Sequence, residues 1–432
     1  MRVGRLVLVA GVVTMAIACG AHLRLPSQGG DTWTEVTSEH FTLWTDGPAT
    51  TGRDIVRQME HRRQVILTAM QRAGSPTRLF VVALRNQLEL DDVLPAKHAS
   101  STWGADNPTG QPGLVLAVEN SDRSPLVARQ LARVFSHELF TYQPNWLDEG
   151  VGAYFELSGT SSPVGASGRL DIRTGWPCAW IRQFLDNSAP LPSADLFAAT
   201  SDEAERIRFH ASSWALFSFL VMDHEAALDR YRQRLTELWE EHATSPWYEQ
   251  FGAAGDTEAN LRRPHVRQQR WRALQDLAWR EAFPGYTPDK LDDELRSWLN
   301  RGRLPIASIQ LALDDVAMTE RALGEADVLA ARSFLALMYK DDLAAVRRDA
   351  ASALALDPTH VLARLLHAAL AHTISRADAA ATAAAHPDDW RAQRLVELAF
   401  QGSPEASAAH DRICALSQRA APECARGAGV VH

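Results

Sequence analysis

"SHELFTYQPNWLDEGVGAYFE", residues 136–156, decides how this chain is read. His137 and Glu138 begin an HExxH pattern, in which two histidines four residues apart share a helix face and reach one zinc ion. Position 141, where the second histidine belongs, is Thr141, and a hydroxyl is a poor zinc ligand beside Cys, His or carboxylate. Glu149 nevertheless follows in WLDEG, where the next helix would supply a third ligand. A complete site would use the glutamate after the first histidine as general base on a metal-bound water. His137 and Glu149 therefore stand as candidate zinc ligands and Glu138 as the candidate catalytic base, with one imidazole missing. Only Tyr142 and Gln143 separate Thr141 from Pro144, which stops the helix that begins at Ser124-Pro125.

Upstream, "TWTEVTSEHFTLWTD" alternates apolar and polar residues and predicts one or two strands over 33–46. A helical period covers 52–73, "TRLFVVALR" (77–85) reads as a buried strand, and "LVLAVE" (114–119) as another. The Gly- and Pro-rich stretch 95–113 reads as a loop. Downstream, a helix is predicted from about 145 to 157, then over 175–188, 203–222, 225–242, 262–283 and 288–300. After Pro305 a short β-like segment, "IASIQLAL", leads into an Ala- and Leu-rich helical array. There "ALALDPTHVLARLLHAALA" and "TAAAHPDDWRAQRLVELAF" each show a helix end, a proline and a new amphipathic helix.

Taken together, "HEL…QPNWLDEGVGAYFE", the opening strands, "FHASSWALFSFLV" (209–221) and "AWREAFPGYTPDKLDDELRSWL" (278–299) resemble the peptidase MA-like gluzincin family, in its exported bacterial branch. The similarity covers roughly residues 33–300. It implies an α+β fold: a gluzincin-like domain with a small N-terminal sheet and a helical subdomain, over 33–303. A tetratricopeptide-like, all-α helical array over 304–432 would follow. It also implies zinc on His137 and Glu149 with Glu138 as base. The family's second histidine is replaced by Thr141, and the segment up to Pro144 is shorter than in the family by about two turns. His98 or His210 could substitute as a ligand. Tyr142 and Tyr154 are expected to pack, and Glu156 to be a solvated helix residue.

The N-terminus predicts export. Arg2 and Arg5 precede an apolar run from Leu6 to Ala18, followed by Cys19. These are the parts of a secretory signal, and they resemble a lipoprotein signal, which would make Cys19 the lipidated residue after a signal over 1–19. Residues 20–32 read as a tether from the membrane to the folded part. Of the remaining cysteines, Cys414 and Cys424 could form a disulfide after export. Cys178 would stay unpaired as a small buried hydrophobe.

The 432 residues carry a net charge of −9, so no basic surface argues for nucleic acid. No GxGxxG, GxxxxGK[ST] or GxSxG motif points to a nucleotide enzyme or a serine hydrolase. Two readings remain: a lipid-anchored envelope protein whose degenerate peptidase-like domain binds a peptide or protein partner, or an active zinc-dependent peptidase.

Overall fold

The computed structural model describes residues 23–70, 78–94, 100–103, 111–120, 125–139, 143–158, 170–199, 206–242, 272–302, 307–311, 315–339, 342–371 and 374–416. The fold is α+β and mostly helical. A six-stranded mixed sheet has the order β4-β5-β3-β2-β1-β8, from β1 (Trp33–Thr37), β2 (Phe41–Thr45), β3 (Leu79–Leu84), β4 (Ser100–Trp103), β5 (Gly113–Ala117) and β8 (Thr319–Leu323). Strands β2, β3 and β5 run parallel, whereas β4, β1 and β8 pair antiparallel with their neighbours. A separate two-stranded sheet joins β6 (Leu170–Thr174) to β7 (Ala307–Leu311).

Side chains alternate across a strand, and here both faces are covered. Val36, Phe41, Leu43, Leu79, Val81, Leu114 and Leu116 face one core. Into that core pack α1 (Ala49–Ala69), α3 (Pro125–Leu139), α4 (Asn145–Phe155) and α7 (Arg206–Asp223). Trp33, Trp44, Phe80, Val82, Leu84 and Val115 face the other core. That side is covered by α2 (Gln87–Val93) and by α11 (Glu325–Tyr339), with Phe334 of α11 set 5.8 Å from the Phe80 ring. Burial on both sides explains why β3 reads as the unbroken apolar run LFVVAL.

Around α4 and α7 stand α5 (Ala179–Asn187), α6 (Ser193–Ala198), α8 (Glu225–His242), α9 (272–282) and α10 (Pro288–Asn300). After α11, helices α12 (Leu343–Leu356), α13 (Val361–Ala371), α14 (Arg376–Ala385), α15 (Trp390–Ala399) and α16 (Pro404–Leu416) follow through short connections. Asp342, Ser375 and Asp389 cap three of them through side-chain acceptors.

Three features differ from the sequence reading. The predicted loop 95–113 contains β4, so β5 is an inner strand and "LVLAVE" is not a free edge. Helix α2 and strands β6 and β8 also join the architecture. Finally, the strands that follow residue 303 complete sheets begun before it: β8 extends β1, and β7 pairs β6. Arg321 of β8 ties this edge together, reaching Glu35 at 3.1 Å and Asp327 at 3.4 Å. Among the described residues no helix is long and apolar enough to cross a membrane. Cys178 is free and buried, while Cys414 is disulfide-bonded.

Candidate functional site

Helices α3 and α4 form a tight antiparallel hairpin. Arg129 and Arg133 stand four residues apart on α3, so they share one helix face. Two glycines on α4 permit the close packing. A Cβ on Gly150 would stand 2.7 Å from both the Phe217 Cβ and the Ser213 carbonyl oxygen of α7. A Cβ on Gly152 would meet Cγ of Arg133 at 2.9 Å and Cγ of Arg129 at 3.0 Å. Both arginine stems therefore lie across Gly152, and their heads reach the carboxylates of α4.

Glu149 is the centre of the resulting cluster. Its Oε2 is bonded by Nη2 of Arg129, and its Oε1 lies 3.5 Å from Nη1 of Arg133. His210, on α7, places Nδ1 2.8 Å from Glu149 Oε2 and 2.7 Å from Arg129 Nη2. A proton on Nδ1 donates to Glu149; a lone pair there accepts from Arg129. Arg133 Nε also donates to Asp148 at 2.7 Å, and Gln143 donates to Asp148 at 3.0 Å and to Ser136 at 2.8 Å. The cluster is partly shielded, from 8% side-chain exposure at Arg129 to 27% at Arg133.

The electrostatics follow from this geometry. Burial pushes the Glu149 carboxyl upward, but the His210 hydrogen bond and the charges of Arg133 and Arg129 outweigh it and hold Glu149 well below the usual carboxylate range. Burial alone would lower the Arg133 guanidinium, yet Asp148 and Glu149 raise it above its ordinary value. Glu156 behaves oppositely: burial raises it, despite Arg129 Nη1 at 3.5 Å. It is 4% exposed, which corrects the expectation of a solvated residue; the last turn of α4 tucks it beneath Arg129 and beside Cys178. Burial and the Glu156 charge together push the Cys178 thiol up to about 12, so it is a poor nucleophile. Tyr154 packs as expected, at 4% exposure, with ring contacts to Phe155 and Phe217.

Of the sequence candidates, the structure brings Glu149 and His210 into direct contact. The backbone of residues 137 and 138 belongs to the last turn of α3, but the side chains of His137 and Glu138 lie outside the described ones. His98, Thr141, Tyr142, Cys19 and Cys424 also lie outside the described residues. Arg129, Arg133 and Asp148 escaped the sequence reading, although the four-residue spacing of Arg129, Arg133 and His137 was its available signal.

Zinc fits this environment poorly. A zinc ion on Glu149 would share the carboxylate with two guanidinium groups, placing a dication beside two fixed positive charges in a low-dielectric site. Among the described residues no group of three or more His, Cys, Asp or Glu side chains is arranged to hold a metal. Comparison of the chain with protein-family models, curated proteins and solved structures yields no match.

A second buried carboxyl site lies at the carboxyl ends of the parallel strands. Asp46, just after β2, faces Glu89 of α2. Asp46 Oδ1 and Glu89 Oε2 are buried without hydrogen-bond partners. Burial, then the hydrogen bond and charge of Glu89, raise Asp46 to about 8.

Proposed function

We propose that this chain is an exported, lipid-anchored envelope protein whose gluzincin-like domain serves as a peptide- or protein-binding module rather than as a hydrolase. The observation that carries this reading is the engagement of Glu149 by Arg129, Arg133 and His210. A carboxylate already balanced by two guanidinium groups gains little from a metal. Moving it to one would take from Arg129 its closest carboxylate, leaving it Glu156 at 3.5 Å, and would leave Arg133 with Asp148 alone. The helices after residue 325 would supply a tetratricopeptide-like partner surface, stacked hairpin on hairpin. The lipoprotein-like signal ending at Cys19 supports an envelope location, and a disulfide at Cys414 suits an oxidising compartment.

The test is a metal and activity assay on the full mature chain purified without added metal. The expected result is sub-stoichiometric zinc and no cleavage of a broad peptide library, with Glu138→Gln indistinguishable from the parent. Stoichiometric zinc, together with cleavage lost in Glu138→Gln, would establish the peptidase reading instead. Partner capture should survive His137→Ala. Deleting everything after residue 320 is the wrong control for the array, because β8 and α11 complete the sheet and its second core.

A further inference from the structure

Away from Glu149, helices α7 and α10 border an open hollow of about 460 Å³, lined by Phe219, Asp223, His224, Glu294, Ser297 and Arg301. That volume is in the range of small-molecule sites. The sequence builds it where both helices end. Leu291, Leu295 and Trp298 form the buried stripe of α10, and the Trp298 ring sits 6.0 Å from Phe219 of α7. Glu294, Ser297 and Arg301 follow one another at helical spacing, so they share the adjoining face. On the opposite side α7 ends at Asp223. There His224 turns the chain into α8, its amide donating to the Leu220 carbonyl.

The polar groups of the hollow are only partly used by the fold. Tyr286 donates its hydroxyl to Oε2 of Glu294 at 2.9 Å, and His224 Nε2 lies 3.7 Å from the same oxygen. Among the described residues, neither Oε1 of Glu294 nor the Ser297 hydroxyl has a hydrogen-bond partner. Asp223 faces Arg301 Nη1 at 3.6 Å, beyond hydrogen-bond length, so both its oxygens can still accept. Two carboxylates against one guanidinium select a cation over an anion.

We propose that this hollow binds a primary ammonium carried on a slender alkyl stem, such as a lysine side chain or a free alkylamine. An ammonium offers three donors and no acceptor, and the Glu294, Asp223 and Ser297 oxygens supply the acceptors. A guanidinium fits less well. Its fork takes both oxygens of one carboxylate, whereas Tyr286 already holds one oxygen of Glu294, and Asp223 is shared with Arg301. The stem would lie along Phe219 and His224, whose rings stand 4.7 Å apart, edge to face. The site does not depend on how Glu149 is used.

The test is a ligand-observed NMR titration of the full mature chain at about pH 8, where an ordinary imidazole is neutral and an alkylamine is still charged. Butylammonium and Nα-acetyl-lysine methylamide should both bind saturably, and the tighter of the two identifies the source as a free amine or a peptide side chain. Glu294→Gln keeps an acceptor for Tyr286 and should weaken both probes about tenfold, the worth of one hydrogen bond to a charged group. Asp223→Asn should weaken them by less. Arg301→Gln should tighten them, because it removes the competing cation, an effect that a merely structural role would not produce. Butylguanidinium should bind more weakly than butylammonium, and butanol not at all. Should Glu294→Gln fail to fold, Asp223→Asn and Arg301→Gln decide. A titration that does not saturate, affinities unchanged in the folded variants, or butylguanidinium binding as tightly as butylammonium would overturn the proposal.

Discussion

Two buried carboxyl sites in this fold are built in opposite ways. At Glu149, two arginines and a histidine converge on one carboxylate, and the group stays ionised well below its usual range. At Asp46, the facing group is another carboxyl, two oxygens lack hydrogen-bond partners, and Asp46 is raised to about 8. One site joins helices by charge balance; the other joins β2 to α2 through a pair that cannot hold two full charges side by side. Burial is common to both, so the difference lies in the partners.

The contrast can be broken most sharply at Arg129. Arg129→Met removes a buried cation from Glu149, Glu156 and His210 together, and chemical denaturation should show a loss of about 3–5 kcal/mol. A loss under about 1 kcal/mol would mean that the cluster behaves like an exposed pair.

The Asp46 site should respond with the reverse sign. A carboxyl raised in the folded state stabilises fully below its unfolded value of about 3.9, and that stability is lost as pH rises through the folded value, here about 8. Asp46→Asn should therefore be more stable than the parent by a few kcal/mol at about pH 9 and nearly equal to it at about pH 4. Thermal unfolding across that range checks it, and parallel curves for parent and variant would remove the second half of the comparison. Glu149, lowered in the folded state, contributes stability above the ordinary carboxylate range. Its share should be lost progressively as pH falls below the ordinary carboxylate range toward its depressed value.

A smaller effect is expected from the packing that supports Glu149. Gly152→Ala drives a methyl against the stems of Arg129 and Arg133, and should cost about 1–3 kcal/mol in the same denaturation assay. The smallest effect concerns zinc. Thr141→His restores the HExxH spelling, but should add no zinc by metal analysis, because Glu149 remains with its arginines. Tight zinc binding by that variant would show that the cluster yields to a metal.

Much of the sheet was legible in the sequence, because β3 and β5 are buried on both faces and read as short apolar runs. Strand β4 hid inside a Gly- and Pro-rich stretch. Strand β8, "TERAL", is a mostly exposed edge whose charges carry no apolar alternation. Its place beside β1 depends on a pairing across 286 residues between Glu35 and Arg321, which local pattern does not encode. At the site, Glu149 was legible from its motif, whereas its partners were not. Arg129 and Arg133 read as the polar face of an amphipathic helix, and only the approach of α4 over Gly152 turns that face inward. Glu156 misled for the same reason: helical period places it at a helix end, and the burial comes from α3.

Glu149 is held first by Arg129. A double-mutant cycle between Arg129→Met and Glu149→Gln, read by chemical denaturation, tests it most directly. The expected coupling energy is about 1.5–3 kcal/mol, with Glu149→Gln costing much less once Arg129 is gone. Additive losses, with Glu149→Gln costing the same in both backgrounds, would contradict it.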